Sequence, residues 1–393
     1  MAICAAQRLD ANSLYAFSGI AVRNALRLGL HRDGKILNLP PFETEMRRRL
    51  WWAIFFMDIR MAEMAGAGFG SVAAHHYDCC APTNVNDEDI FPGMQEPPAA
   101  REGATEMMFV LLRASIAGFV KRPNDRVEFG GSWHRLAETG IPGVQKPLNI
   151  GELEKQLEDR FLRYCDPLNP LHTLVSTITR SAICKMKIIS QHRPPSTEEN
   201  EGLPQSQKDF IFSTSLKMVG YHNFARTSPH LRGFWWFIKS HLQWHSVIFL
   251  LKELQHRPEG TQVNNAWWEL EGIFMGNPEI LDNPRVGLYR AVVILCRKAW
   301  KAREIYYQRN NMPLPEKPPF VQKIFSSSTD CVQPQEPAVP DQSQQVQPTN
   351  PADDFQDNSF LEFFPPINGD PLFDAMGFDW ADWSAIMPGF SVQ

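Results

Sequence analysis

The chain has 393 residues, of which 43% are hydrophobic, and carries 39 basic and 44 acidic side chains for a formal net charge of −5. That length suffices for one large helical domain or two to three average ones, and the hydrophobic fraction suffices for a substantial core. The longest strongly apolar run, 247–251, is too short to span a bilayer, and the interrupted apolar pattern of residues 1–14 predicts no secretory signal peptide.

A first amphipathic helix is predicted over 13–28, because apolar residues recur there at steps of three and four. Gly29 follows it and is placed to end the helix in the left-handed conformation that glycine adopts easily. The run His31-Arg32-Asp33-Gly34 is interpreted as structural, because a lone histidine at a helix end is usually a hydrogen-bonded group. The predicted inward residues are Leu14, Phe17, Ala21, Ala25 and Leu28.

A second helix is predicted to begin at Pro40-Pro41, with acidic residues near its start, where the helix dipole favours them. Apolar residues cover so much of its circumference that we expect it to be buried. Three consecutive arginines at 47–49 point in three directions around a helix, which does not suit a phosphate site or an import signal. We instead predict that they form ion pairs with acids such as Asp58 or Glu63. The predicted apolar stripe is Met46, Leu50, Ile54, Met57, Met61 and Met64.

The stretch 66–90 contains site-like residues without the spacing that a site needs. Its glycines at 66, 68 and 70 follow a buried helix rather than a strand, so no dinucleotide fingerprint is predicted. Four side chains of metal-ligand type occur as two adjacent pairs, which do not match zinc-binding spacings, so no metal site is predicted. The segment 84–89 is predicted to be a turn that caps a short helix. The four side chains are His75, His76, Cys79 and Cys80.

In their order and spacing, these features resemble the middle homology region of fungal zinc-cluster (Zn2Cys6) transcription factors. They are the run ALRLGLHRDG, the helix PFETEMRRRLWW with Asp58 after it, and the loop CAPTNVNDEDI. A weaker resemblance, to a later helix of the same region, covers FWWFIKSHLQWHSVIFLLKELQHRP at 234–258. The resemblance implies an all-helical regulatory domain that normally follows a DNA-binding module, and it implies no enzyme.

The seven cysteines do not provide the six-cysteine zinc cluster that the resemblance implies. Their number is odd and their spacing irregular, which is typical of reduced thiols in an intracellular protein. Only Cys4 lies near the start, so zinc is not expected as a cofactor and direct DNA binding is not expected. Relatives in this family carry more helical sequence before this point, which predicts either a late start or a truncated gene model.

Apolar periodicity predicts seven further helices, at 105–121, 152–164, 171–189, 209–225, 231–254, 265–274 and 285–307. The segments 122–150 and 191–207 are predicted to be surface loops. His241 and His245 have a metal-chelating spacing, but Leu242 replaces the glutamate of a zinc-protease helix, so core hydrogen bonding is predicted. A basic cluster is interpreted as a solvated face that suits the helix dipole rather than a nucleic-acid site. That cluster is Arg297, Lys298, Lys301 and Arg303.

The end of the chain has a different composition. Eleven acidic residues and no lysine or arginine follow Lys323, which suggests an interaction tail. The range 311–352 is rich in Pro and Gln and is predicted to be a disordered linker. In 353–393 aromatic and acidic residues are interspersed, a composition typical of activation segments; packing back onto the helical body is the alternative. The predicted activation contacts are Phe363, Phe364, Phe373, Phe378, Trp380 and Trp383.

The sequence thus predicts an all-α regulatory domain over 1–310, followed by the linker and the tail. We expect transcriptional regulation in a fungal nucleus, and the resemblance implies a metabolic or secondary-metabolite gene cluster as the target. Expected partners are coactivators and full-length relatives in a dimer, with no membrane. No catalytic motif is present. The alternatives are a helical protein-interaction or small-molecule sensor module that does not bind DNA, and a metal enzyme built on the histidines.

Overall fold

The structure is a computed structural model that describes residues 11–65, 72, 76–120, 149–190, 204–283 and 286–326. Within those ranges every regular element is a helix, which confirms the all-α prediction for this part of the chain. The predicted loops at 122–150 and 191–207 fall almost entirely outside the described residues, as does the whole tail, 353–393. No helix in the described ranges combines the length and the apolarity that a membrane span needs.

Two long helices open the fold and pack against each other. They are α1, Ala11–Arg27, and α2, Pro41–Met64. Gly29 has φ +68°, and the Leu30 N–H donates back to the Ala25 carbonyl at 2.9 Å. The predicted left-handed end of α1 is therefore confirmed, and it turns the chain back towards α2.

The inward faces of α1 and α2 differ from the predicted stripes. Phe17, Leu28, Met46 and Leu50 are all exposed, so those four assignments are wrong. The polar side chains explain the difference, because the Ser18 hydroxyl donates to Asp58 at 2.7 Å and brings that side of each helix inward. Leu14 and Ala25 of α1 are buried as predicted. The other buried residues include Ser18 and Val22 of α1, and Trp51, Trp52, Phe55, Phe56 and Asp58 of α2.

A 3-10 turn, Asp87–Asp89, links this pair to a middle layer of three helices. The layer contains α3, Met108–Val120, α4, Ile150–Arg160, and α5, Pro170–Ser190. A further 3-10 turn, Leu162–Tyr164, follows α4. Four apolar side chains of the predicted helix 152–164, which its helical spacing places inward, are all buried, and they pack with Met108 and Met186 in one core. Those side chains are Leu153, Leu157, Phe161 and Leu162.

The largest core lies in the second half of the described chain, where Trp267 packs edge-on against Trp300 with ring centroids 4.9 Å apart. Its helices begin and end close to the predicted positions, apart from the two corrections below. They are α6, Gln205–Thr227, α7, Trp235–Lys239, α8, Trp244–Glu253, α9, Thr261–Gly276, α10, Glu279–Asp282, α11, Gly287–Arg309, and α12, Pro319–Ser326. A 3-10 turn, Pro229–Phe234, precedes α7.

The single helix predicted over 231–254 is wrong, because the chain breaks between α7 and α8. The Arg60 guanidinium of α2 donates to the Ser240 carbonyl, with Nε at 2.7 Å. The His241 N–H pairs with the Ile238 carbonyl, three residues back rather than four. A side chain from a distant helix thus takes the carbonyl that would continue the helix, and no local pattern of apolar residues could reveal that.

The helix α12 lies inside the range that was predicted to be a linker. Phe320, Val321 and Ile324 are buried, and the Phe320 ring stacks on Phe274 with centroids 4.5 Å apart. The linker prediction is therefore wrong for Pro319–Ser326, because a short helix with three apolar side chains gives too weak a periodic signal. The helical body extends at least to Ser326, beyond the predicted boundary at residue 310.

Candidate functional site

The motif residues of the first hundred positions meet around one buried carboxylate, that of Asp33. Arg48 donates to both of its oxygens, from Nε and Nη2 at 2.8 Å each. The backbone N–H groups of Cys80 and Lys35 add donors at 2.9 and 3.0 Å. We call this group, together with Arg32 and Asp78, the Asp33 junction, and it ties the turn after α1 to α2 and to the segment 78–80.

Asp33 is 1% exposed, so its charge depends on these partners. Burial by itself would raise the pKa of Asp33, but the hydrogen bonds from Arg48, Cys80 and Lys35 outweigh burial and hold that pKa well below its usual range. The same contact raises the pKa of Arg48. Four donors also occupy the acceptor positions of a carboxylate, which leaves Asp33 no free position for a substrate. The Asp33 junction therefore has a structural role: it holds the turn after α1 against α2 and the segment 78–80.

Asp78 repeats the arrangement on the other side of the turn. Its carboxylate accepts from Arg32 Nε and from the Asp33 N–H, each at 2.7 Å. In return, the His31 carbonyl accepts from the N–H groups of Asp78 and Cys79 at 3.1 and 3.2 Å. The structural interpretation of the His31–Gly34 run is thereby supported, since its backbone and side chains are engaged on both sides.

Gly34 is required by the close approach of α2 rather than by its backbone angles. A Cβ atom at this position would lie 2.6 Å from Thr44 Oγ1 and 2.8 Å from Thr44 Cα. Those distances are shorter than the closest contacts that a Cβ atom makes in real structures, so only glycine fits against Thr44 in the first turn of α2. The glycine that follows Asp33 is thus explained by the packing of this one turn against α2.

Two further side chains, Glu45 and Asn84, fasten the Asn/Asp loop to α2 and to the segment 101–105 before α3. Glu45 of α2 accepts from the Thr83 N–H at 3.1 Å and from its hydroxyl at 3.0 Å. Asn84 donates to the Arg101 and Gly103 carbonyls at 2.7 and 3.0 Å. The Thr105 hydroxyl donates to Asn84 Oδ1 at 2.7 Å. The predicted capping turn is present, as the Asn86 N–H donates to Asp89 at 2.8 Å.

The interpretation of the three consecutive arginines as structural is confirmed, but their predicted partners are wrong. Arg47 donates to the Leu28 carbonyl at 2.8 Å, and Arg48 binds Asp33. Arg49 pairs with Glu45 at 3.3 Å and with Asp87. Asp58, which was expected to pair with an arginine, instead accepts from the Ser18 hydroxyl and the Val72 N–H. Glu63 pairs with Arg60 and Lys185.

The residues of metal-ligand type are placed as follows. His75 lies outside the described residues, Cys79 is buried, and burial raises the pKa of its thiol to about 12. The Cys80 carbonyl accepts from Trp52 Nε1 at 2.9 Å. In the described ranges, no group of three or more His, Cys, Asp or Glu side chains is placed to hold a metal ion.

The histidines at 241 and 245 do not share a helix face. His241 lies in the break before α8 and stacks on Phe237 at a centroid distance of 3.8 Å, whereas His245 is buried within α8. The spacing of four residues therefore does not correspond to one helical turn, because α7 ends at Lys239. The core hydrogen bonding that we predicted is present at His241, whose Nδ1 lies 2.8 Å from the Phe237 carbonyl.

The basic cluster of α11 is only partly a solvated face. Arg297 donates to the Ile324 carbonyl at 2.8 Å. Arg303 is buried and donates to Asn264 Oδ1 at 2.6 Å. Lys298 and Lys301 are exposed as expected. The interpretation is thus wrong for the two arginines, which hold α12 and α9 against α11. The six predicted activation contacts of the tail all lie outside the described residues.

Comparison with known proteins adds the following. Residues 1–115 match the family described as fungal specific transcription factor domain, and this range contains the whole Asp33 junction. No solved structure matches the chain.

Among curated proteins, the chain is similar to the aurofusarin cluster transcription factor aurR2 of Gibberella zeae, with 28% identity over 80% of this chain and 46% of the relative. It is 32% identical to the pyriculol/pyriculariol biosynthesis cluster transcription factor 1 of Pyricularia oryzae, over 81% of this chain and 43% of the relative. The transcriptional regulator AacuB of Aspergillus aculeatus is 29% identical to the chain, over 75% of this chain and 40% of the relative. The chain spans less than half the length of these relatives. The similarity to the fungal specific transcription factor domain family is thus located in residues 1–115.

Proposed function

We propose that this chain regulates the transcription of fungal genes, with a metabolic or secondary-metabolite gene cluster as its target. The observation that carries the proposal is the match of residues 1–115, which includes every contact of the Asp33 junction. Three relatives are named as transcription factors or transcriptional regulators, one of them of the aurofusarin cluster and one of the pyriculol/pyriculariol biosynthesis cluster. Because this chain spans less than half of each relative, their whole-protein activity is carried over only as a proposal.

The helical body acts in this proposal as a scaffold. Four hydrogen-bond donors occupy the Asp33 carboxylate in the Asp33 junction. These contacts are structural rather than catalytic. We accordingly propose no enzymatic activity and no metal or other cofactor for the chain. We assign the regulatory effect to binding partners, and we propose residues 353–393 as the segment that contacts coactivators.

The contacts proposed for that segment are aromatic side chains among acids. Repulsion between the acids keeps the aromatics accessible, and a basic-rimmed apolar groove on a coactivator then takes them up. Direct DNA binding is not proposed for these residues. A dimer with full-length relatives, in the nucleus, is the arrangement that would bring the segment to a promoter.

Fusing the full chain to a heterologous DNA-binding domain is expected to activate a reporter gene that carries the matching site. Replacing Trp380 and Trp383 together with alanine is expected to remove most of that activation, because buried aromatic anchors carry on the order of 2 kcal/mol each at an interface. Reporter transcript, normalised to the amount of fusion protein, is the measurement.

Trp268 provides the matched control, since it is an exposed tryptophan on α9 of the helical body. Replacing Trp268 with alanine is expected to leave reporter activity unchanged. Activation that survives the Trp380/Trp383 replacement, or that falls equally on replacing Trp268, would exclude the tail as the activating segment.

A further inference from the structure

An apolar surface remains exposed on the hairpin that α1 and α2 form. Five large side chains of the two helices are between 44% and 57% exposed. Within each helix they recur at helical spacing, so each set lines one side of its helix. Clustered apolar side chains at a surface mark a contact site, because their burial is favourable. We call them the hairpin face: Phe17, Ile20 and Leu28 of α1, and Met46 and Leu50 of α2.

The two sets lie on the same side of the hairpin. Ser18 of α1 donates to Asp58 of α2, and Arg47 donates to the Leu28 carbonyl, so the two helices run antiparallel. At about 100° per residue, Phe17 and Leu28 lie about a quarter turn from Ser18. The α2 pair lies about a quarter to a third of a turn from Asp58, in the same rotational sense. Between antiparallel helices, the same rotation away from their shared contact leads to the same side.

Positive charge flanks the hairpin face. Arg23 and Arg27 are the only charged residues of α1, both are exposed, and helical spacing places them beside Ile20 on the outer edge of this face. Neither guanidinium forms an ion pair or a hydrogen bond with another residue in the described part of the chain. On α2, the exposed carboxylate of Glu43 already pairs with Arg47 at 3.9 Å. A partner that is both apolar and acidic would therefore complement the hairpin face.

A segment of the same chain has both properties in its sequence. Residues 371–387 follow Asp370 and begin with Pro371, a favoured helix start, and Pro388 comes directly after them, where a helix would end. Five of the apolar residues recur at steps of three and four, which places them on one face of a helix. The segment also contains three acids, which lie outside that face, and no base. The five are Phe373, Met376, Trp380, Trp383 and Met387, and the acids are Asp374, Asp379 and Asp382.

We propose that residues 371–387 bind the hairpin face of their own chain as a helix. Their apolar face would pack between α1 and α2, as amphipathic helices do in hydrophobic grooves, and their acids would pair with Arg23 and Arg27. The connection is long enough, because the 44 residues of 327–370 can span more than about 100 Å, whereas a body of this size is about 50 Å across.

The charges favour this occupant over a second copy of the chain. In a symmetric dimer the same surface meets itself, so Arg23 and Arg27 of two copies would be brought together. Like charges at an interface oppose association. The segment 371–387 instead supplies acids and no base, since no lysine or arginine follows Lys323.

Docking would make the helical body a competitor of coactivators. Trp380 and Trp383 would contact α1 and α2 in the docked chain, so they would not be free for a coactivator at the same time. Docking would thus lower activation. This consequence rests on the proposed function, whereas the docking itself rests only on the hairpin face, its charges and the sequence of 371–387.

Cross-linking of the full chain with a water-soluble carbodiimide tests the docking. The reagent joins a lysine amine to a carboxylate in direct contact with it, and α1 contains no lysine. Arg23→Lys combined with Arg27→Lys keeps the charge and supplies the amine. Mass spectrometry of the monomeric fraction from size-exclusion chromatography is expected to show position 23 or 27 linked to an acid of 371–387.

Arg309→Lys is the matched control, because Arg309 is exposed at the end of α11 and lies nearer to the segment in sequence. Links from position 309 to the same acids are expected to be rare. Adding Phe17→Ser and Leu28→Ser to the lysine pair is expected to reduce its links about tenfold, since two apolar contacts are lost. Circular dichroism checks that this variant is folded; if it is not, Trp380→Ala with Trp383→Ala takes its place.

The docking would be overturned by an absence of links between position 23 or 27 and these acids, or by equally frequent links from position 309. Links found only in a dimeric fraction would also overturn it and assign the hairpin face to a second copy. Cross-linking does not depend on transcription, so links without reporter activation would contradict the proposed function and leave the docking in place.

Discussion

Replacing Asp33 with asparagine is expected to reduce the free energy of unfolding by about 3–5 kcal/mol, the cost of removing one partner of a buried ion pair. The variant keeps the size of the side chain but leaves Arg48 without its carboxylate. It also turns one oxygen that accepts from Cys80 or Lys35 into a donor group. Equilibrium unfolding in urea, followed by circular dichroism and by tryptophan fluorescence, measures the change.

Two companion variants separate the charge from general damage. Glu88→Gln is the control, because the Glu88 side chain is 71% exposed in its ion pair with Arg101, and exposed pairs contribute little. It is expected to change stability by less than about 0.5 kcal/mol. Adding Arg48→Met to the Asp33 variant is expected to restore part of the loss, since no unpaired charge then remains buried. A single Asp33 variant as stable as the unaltered chain would show that the junction contributes nothing.

The pH dependence of the free energy of unfolding, compared between the unaltered chain and the Asp33→Asn variant, gives the sign of the charge effect. The pKa of Asp33 is depressed in the folded chain, while an unfolded aspartate titrates near about 3.9. The carboxylate therefore contributes its full stability above that pH and loses it as the pH falls towards the folded pKa. The gap between the unaltered chain and the Asp33→Asn variant is expected to stay constant from pH 7 to 5 and to narrow below about pH 4.

Replacing Phe320 with alanine is expected to cost about 3–5 kcal/mol, as large apolar residues do when they are removed from a core. Phe320 is 4% exposed, stacks on Phe274 and approaches Trp267 at 6.5 Å. A residue in a linker would show no such effect. The loss is measured as a shift of the urea midpoint relative to the unaltered chain.

Leu314→Ala serves as the comparison within the same range, because Leu314 is 50% exposed. It is expected to move stability by less than about 0.5 kcal/mol. If Phe320→Ala were equally silent, α12 would not be part of the helical body, and the predicted boundary near residue 310 would be restored.

Local patterns in the sequence predicted most of the helices and the capped turn after α1. Gly29, the proline start of α2 and the buried residues of α4 follow from rules that involve only neighbours in the chain. Apolar spacing also predicted that α2 would be buried. These predictions share one property: each depends on residues within one or two turns.

The remainder depended on contacts between distant residues. Arg60 lies 180 positions from the Ser240 carbonyl that it binds, and that contact divides the predicted 231–254 helix. Ser18 and Asp58 are 40 positions apart and decide which faces of α1 and α2 are buried. The order of the motif predicted the similarity that residues 1–115 show to the fungal specific transcription factor domain, but the pairing of Arg48 with Asp33 could be seen only in the fold.

Transcript measurement after deletion of the gene is the most direct test of the proposed regulatory role. Sequencing of RNA from the deletion strain is expected to show a set of neighbouring biosynthetic genes with reduced transcripts. The full chain is expected to restore them, whereas the Trp380/Trp383 double alanine variant is not. Unchanged transcripts in the deletion strain, under conditions in which the chain is otherwise produced, would contradict the account.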